Sequence, residues 1–211
     1  GNGTLCTLPC KHKFHRDCVE ELRRQGVHQV CPLCRTTLPP GPEQLFEDAL
    51  RMYIRTERQR AEEGSWKPLT VSEEETMVQV IEMWSSAANQ GHSFALLNLG
   101  IVYEGGCGVT QDYDKAVQWY RKGADQGLAD AQYNLGIFYH AGQEVARDYN
   151  KAAQLYRKAA DQGNAHAQFN LGLLYYNGDG VAQDYNKAAH WFRNAADQGD
   201  ADAQYNLGIM Y

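Results

Sequence analysis

The sequence predicts a mostly α protein in which a small zinc-bound module precedes an α-solenoid of helical-hairpin repeats of period 36. Three observations carry that reading. Seven thiol and imidazole side chains crowd into the 25 residues from Cys10 to Cys34, six of them at metal-ligand spacing. Asp112-Tyr113, Asp148-Tyr149 and Asp184-Tyr185 recur at intervals of 36 residues. Between the two regions, Pro39-Pro40-Gly41-Pro42 forbids a continuing helix or strand.

Composition narrows the function classes. The 211-residue chain has a net charge of −6, unevenly spread. Residues 1–40 hold six basic and three acidic groups, whereas residues 72–211 hold nine basic and seventeen acidic ones. A nucleic-acid binder needs a dense basic face, so DNA and RNA are not the expected partners. Five of the six cysteines lie near the interleaved histidines, and Cys107 stands alone, a usage that fits a reducing compartment better than a disulfide framework. The expected location is therefore the cytoplasm or nucleus. No run of eighteen apolar residues is visible as a membrane span.

The first element is the metal-ligand cluster. It reads Cys10-x-His12-x2-His15-x2-Cys18, then twelve residues, then Cys31-x2-Cys34. Thiolate and imidazole are the ligands Zn²⁺ prefers, and a pair such as Cys31-Pro32-Leu33-Cys34 lets one tight turn grip one ion. About 35 residues bury too little apolar surface to fold unaided. Structural zinc contributes roughly 10–16 kcal/mol in small finger peptides, so metal decides whether this module folds.

The ligand order Cys-His-His-Cys-Cys-Cys resembles the last six of the eight ligands of a RING finger in its two-histidine form. Leu8-Pro9-Cys10, Phe14-His15 and Cys31-Pro32-Leu33-Cys34-Arg35 match that family's usage as well. The resemblance implies two interleaved zinc ions. One takes Cys10, His12, Cys31 and Cys34; the other takes His15 and Cys18 plus a Cys-x2-Cys pair from upstream. That pair is absent, and Cys6 sits where the family has an ordinary strand residue. The chain starts at Gly1 rather than Met and reads as a fragment cut inside the module, with one complete zinc site.

By the same resemblance the module binds a ubiquitin-conjugating enzyme carrying a ubiquitin thioester and transfers ubiquitin by positioning rather than covalent chemistry. Pro32 and Leu33 correspond to the contact loop for the conjugating enzyme. Arg35 corresponds to the linchpin that bridges that enzyme and ubiquitin, the catalytic position, where a five-donor guanidinium suits the task. Leu22, on an expected short helix Val19–Gln25, stands where many relatives carry tryptophan, which implies weaker or altered enzyme choice. A scaffold in which zinc serves only structure is the alternative.

A helix is expected from Glu43 to about Glu63, since Leu45, Ala49 and Tyr53 recur at helical spacing with Phe46 and Leu50 beside them. Beyond Ile54 its residues are nearly all polar, so the second half is expected to run into solvent. Ser72 with Glu75 predicts a capping box and a helix starting at Glu73, ending near Gln90 with Gly91 as left-handed cap. The expected divisions are a partial zinc finger at 1–38, a helical linker at 39–72 and repeats at 73–211.

Within each repeat, Asp112, Asp148 and Asp184 cap a first helix whose apolar stripe reads Ala116, Trp119, Tyr120 and Ala124 in the first case. Gln-Gly at 126–127, 162–163 and 198–199 ends it. A second helix presents Ala131, Leu135, Phe138 and Tyr139, and contains Gly136, which predicts close helix–helix approach. Asn-Leu-Gly at 98–100, 134–136, 170–172 and 206–208 keeps the same period, as do Tyr103, Tyr139, Tyr175 and Tyr211. Such a period means a solenoid of one repeated supersecondary unit. Lys-Ala-Ala…Tyr-Arg-Lys-Ala-Ala-Asp-Gln-Gly with Ala-Gln-Tyr-Asn-Leu-Gly resembles the SEL-like repeat, a relative of the tetratricopeptide repeat, over about residues 75–211. The resemblance implies a surface that recruits a protein substrate or adaptor. Glu144 replaces the glycine found at Gly108 and Gly180, predicting a different turn, and the last unit reads as cut at Tyr211. The repeated Asn98, Asn134, Asn170 and Asn206 either line a peptide-binding face or brace adjacent helices. His92, His140, His166 and His190 share no metal-like spacing.

Overall fold

The computed structural model describes residues 40–62 and 69–210 in full, and the backbone alone of residues 5–7, 13–15 and 63. Strands β1 (Leu5–Thr7) and β2 (Lys13–His15) pair antiparallel, with Leu5 opposite His15, Cys6 opposite Phe14 and Thr7 opposite Lys13. All other regular structure among the described residues is helical: α1 (Pro42–Glu63), α2 (Val71–Asn89), α3 (Ser93–Gly105), α4 (Tyr113–Asp125), α5 (Ala129–Ala141), α6 (Tyr149–Asp161), α7 (Ala165–Asn177), α8 (Tyr185–Asp197) and α9 (Ala201–Ile209). They fall into two units. Helix α1 and Val78–His92 belong to the first; Leu69–Met77 and everything from Ser93 belong to the second.

In the first unit α1 starts where Pro42 places it, proline being tolerated in a first helical turn. Its inward side meets the fully buried Trp84: the ring centroids of Phe46 and Tyr53 lie 6.5 and 5.4 Å from that of Trp84. His92 stacks on Phe46 at 4.2 Å and lies 3.2 Å from the Glu43 carboxylate. The packed side reaches further than the sequence indicates. Thr56 is buried, because its hydroxyl donates to the Met52 carbonyl at 3.1 Å and so hides its polar atom within the helix.

Helix α2 corrects the predicted start. Thr70, not Ser72, opens it: the Thr70 N–H donates to Glu73 Oε2 at 2.7 Å, and the Glu73 N–H donates to Thr70 Oγ1 at 3.3 Å. Two overlapping Thr/Ser-x-x-Glu frames exist here, and the earlier one closes the reciprocal box. The far end is as predicted, with Gly91 at φ +94°.

In the second unit the hairpins α4–α5, α6–α7 and α8–α9 repeat one design. The three aspartate caps are in place: Asp112, Asp148 and Asp184 accept from the N–H groups of Lys115, Lys151 and Lys187 at 2.9, 3.0 and 3.0 Å. The glycines after the first helices take positive φ, as do Gly106, Gly142 and Gly178 before the next unit. The apolar stripe of α4 is Ala116, Val117, Tyr120 and Ala124; Trp119 is only half-buried, with Lys122 Nζ 4.1 Å from its ring centroid.

The close approach predicted at Gly136 is made by a ring rather than by backbone. A Cβ there would lie 2.6 Å from Tyr156, one at Gly100 2.3 Å from Tyr120, and one at Gly172 2.7 Å from Phe192. Each second helix thus offers a bare patch on which the next first helix seats an aromatic ring. Those three rings are 0 to 1% exposed.

The turn at Glu144 is a second partial correction. Its φ of +53° lies in the same left-handed region as Gly108 (+74°) and Gly180 (+63°). The replacement therefore does not release the backbone. What differs is local: Val145 N–H donates to the Gln143 carbonyl at 2.6 Å across Glu144, a γ-turn.

Candidate functional site: the zinc finger and the repeat surface

Of the residues predicted to serve the zinc module, His15 lies at the end of β2 in register with Leu5. Cys6 occupies a ladder position opposite Phe14, as expected of a strand residue. Cys10, His12, Cys18, Leu22, Cys31, Pro32, Leu33, Cys34 and Arg35 lie outside the described residues. The donor set itself suits zinc, since Cys10, His12, Cys31 and Cys34 would supply three thiolates and one imidazole, the ligand types of a structural zinc site. Among the described residues no group of three or more His, Cys, Asp or Glu side chains is placed to hold a metal.

The repeat surface is described as far as Met210. At each junction a lysine bridges an aspartate and a tyrosine. Lys115 Nζ lies 3.0 Å from Asp112 and 5.1 Å from the Tyr103 ring centroid; Lys151 and Lys187 repeat this with Asp148 and Tyr139, and with Asp184 and Tyr175. The Lys115 N–H, then its ammonium, holds the Asp112 carboxyl below its usual range, and the same causes act on Asp148 and Asp184. On the same elements Arg121 and Arg157 hydrogen-bond the hydroxyls of Tyr139 and Tyr175.

Two of the repeated asparagines sit beside tyrosine hydroxyls of neighbouring helices, Asn134 beside Tyr120 and Asn170 beside Tyr156 and Tyr133, whereas Asn206 donates to the Asp202 carbonyl of its own helix at 2.8 Å. Burial, then the Glu104 carboxylate that accepts from it at 2.5 Å, pushes the Tyr120 phenol far up. This hydroxyl is a donor that ties α4 to the end of α3.

Sequence reading missed a glutamine ladder. Gln132 and Gln168 are buried, donating to the Ala124 and Ala160 carbonyls at 3.3 and 3.1 Å. They accept from Gln162 and Gln198, 30 residues on, at 2.9 and 2.8 Å. Buried amides need partners, and these partners tie one hairpin to the next. The signal was available as a polar residue recurring at 132, 168 and 204 with the hairpin period.

The geometry of the described residues defines a class first: an α-solenoid of stacked helical hairpins. Residues 93–128, 129–164, 165–200 and 201–211 match the Sel1 repeat family, more than half of the chain. The chain belongs to the Sel1 repeat family. Residues 3–34 match the zinc finger, C3HC4 type (RING finger), so the chain carries a RING-type zinc finger followed by Sel1 repeats. A RING finger is a zinc-binding module. In this chain the position after His12 in that series is His15 rather than cysteine.

Among solved structures, the c5321 protective antigen of uropathogenic Escherichia coli, which displays an SLR fold, is 35% identical with a TM-score of 0.66. That likeness covers 82% of this chain and 36% of the antigen. The Sel1 repeat protein from Oxalobacter formigenes is 37% identical with a TM-score of 0.57, over 60% of this chain and 95% of that one. Helicobacter pylori cysteine rich protein B is 27% identical with a TM-score of 0.51, over 65% and 98%. Among curated proteins, E3 ubiquitin-protein ligase MPSR1 of Arabidopsis thaliana is 38% identical over 42 residues, one fifth of this chain and one fifth of that protein. No helix among the described residues is long and apolar enough to cross a membrane.

Proposed function

We propose that the chain is a RING-type ubiquitin-protein ligase whose Sel1 solenoid recruits the protein to be modified. The observation that carries this is the zinc-ligand series ending in Cys31-Pro32-Leu33-Cys34-Arg35, within a segment that matches the RING finger. The likeness to the Arabidopsis ligase supports it. In this reading zinc is structural: Cys10, His12, Cys31 and Cys34 hold one ion, and His15 and Cys18 contribute to a second. Zinc folds a segment too short to fold by itself.

Pro32 and Leu33 then meet the conjugating enzyme, with Leu22 at the edge of the contact. Arg35 donates to that enzyme and to ubiquitin together, holding the thioester in one reactive arrangement. No covalent intermediate forms on the chain; the rate gain comes from orientation, an effect worth several kcal/mol when geometry is held. The site belongs in a reducing compartment, cytoplasm or nucleus, where the thiolates stay available to metal.

The test is a ubiquitination reaction with a panel of conjugating enzymes, together with metal analysis. Ubiquitin chains with at least one enzyme, their loss in Arg35→Ala, and close to one tightly held zinc per chain are expected. Zinc without chains, and an Arg35→Ala variant equal to its parent, would leave a scaffold as the better account.

A further inference from the structure

The solenoid is acidic overall, yet one groove on it is not. An open groove of about 400 Å³ runs along the exposed side of α6 and is bounded by the turn at Gly180. Asn150, Gln154, Arg157, Lys158 and Asp161 line it. Arg157 is held in place by the Tyr175 hydroxyl and ring, its guanidinium 5.7 Å from the ring centroid. Lys158 is exposed and has no ion-pair or ring partner among the described residues.

The neighbouring repeats lack this combination. One repeat earlier the equivalent residues are Asp114, Gln118, Arg121, Lys122, Asp125 and Glu144, so three carboxylates surround the same cation pair. Lys122 is moreover engaged over the Trp119 ring, whereas Leu155 occupies that position beside Lys158. One repeat later the lysine becomes Asn194.

We propose that the groove over α6 binds an extended acidic peptide segment of a partner protein. A carboxylate side chain pairs with Lys158 and Arg157, and the amides of Asn150 and Gln154 meet the peptide backbone, for which they carry both donors and acceptors. Asp161 at the far end disfavours an unbroken run of acid and favours acidic residues spaced by neutral ones. The excess of seventeen acidic over nine basic groups across residues 72–211 argues against a long nucleic-acid polyanion. The site stands on its own charges and does not depend on ubiquitin transfer, so its failure and that of the ligase reading are separable.

The experiment titrates a fluorescein-labelled peptide of alternating glutamate and glycine into the full 211-residue chain at about 0.01 M salt, where the screening length is about 30 Å. Saturable binding at one site per chain is expected, weakened about tenfold by Lys158→Glu through lost attraction and added repulsion. The glutamine analogue should not bind. The triple variant Asp114→Asn, Trp119→Leu, Glu144→Gly gives the α4 groove the residue types of the α6 groove except at Val117. With its helical circular dichroism intact, it should bind two peptides. Equal affinity for the glutamine analogue, no effect of Lys158→Glu, or a single-stranded DNA probe outcompeting the peptide would each overturn the proposal.

Discussion

Consider Gly136→Ala, the smallest change the stacking of repeats can feel. The added Cβ would sit 2.6 Å from Tyr156 Cε1 and 2.8 Å from Cδ1, so the ring must retreat by about 0.8 Å to reach ordinary contact at 3.4 Å. It has little room to do so. Tyr156 is 1% exposed, the Tyr133 ring packs 6.0 Å away, and the hydroxyl lies 3.3 Å from His140 Nδ1. Overpacking of this kind costs about 1–3 kcal/mol. Alanine recovers about 1 kcal/mol through its better helix propensity. The balance is a loss of up to about 2 kcal/mol. Gly208 is the internal control: no atom lies within 4 Å of a Cβ there, so Gly208→Ala should be neutral or stabilising by a few tenths of a kcal/mol. Urea unfolding followed by helical circular dichroism measures both. Adding Tyr156→Leu to Gly136→Ala should cost less than the two single changes together, since the pair is in contact. A Gly136→Ala change no more costly than Gly208→Ala, or strict additivity with Tyr156→Leu, would refute the idea that glycine is there to seat a ring.

Two further outcomes follow from the turns and caps. Glu144 holds φ +53° without the freedom of glycine, so Glu144→Gly should raise the urea midpoint, by about 0.5–1 kcal/mol in stability, while Glu144→Ala should not. The folded carboxyls of Asp112, Asp148 and Asp184 lie below their ordinary pKa, chiefly because each accepts a backbone N–H. A depressed folded pKa means their contribution is complete above the unfolded carboxylate value, about 3.9, and is lost as pH falls through the folded one. Replacing all three by asparagine, which caps without titrating, should flatten the acid side of the stability profile; an unchanged acid limb would argue against the caps.

Much of the solenoid was legible because a physical requirement recurs every 36 residues and so stands out from any single choice. Asp112, Gly127 and Gly136 each repeat, and each marks a cap, a stop or a seat. Two of the misreadings lay where the period gave no help. Thr70 and Ser72 both begin an acceptable capping frame, and only the backbone decides between them. Glu144 looked like permission for a new turn, yet φ stays positive there and only the local closure differs. Gln132 was passed over although it recurs with the period, because a polar residue names no partner in sequence, and its partner Gln162 lies 30 residues away. The zinc module was read from ligand chemistry and order, which are properties of sequence and not of packing.

The account rests on the RING segment orienting a loaded conjugating enzyme. Single-turnover discharge of ubiquitin from such an enzyme to free lysine, with and without the zinc-loaded chain, measures this directly. The account predicts an acceleration of about tenfold or more with at least one enzyme, equivalent to about 1.4 kcal/mol of barrier. Most of that should vanish in Arg35→Ala while bound zinc is retained. Discharge unchanged by the chain for every enzyme tried, or fully preserved in Arg35→Ala, would contradict it.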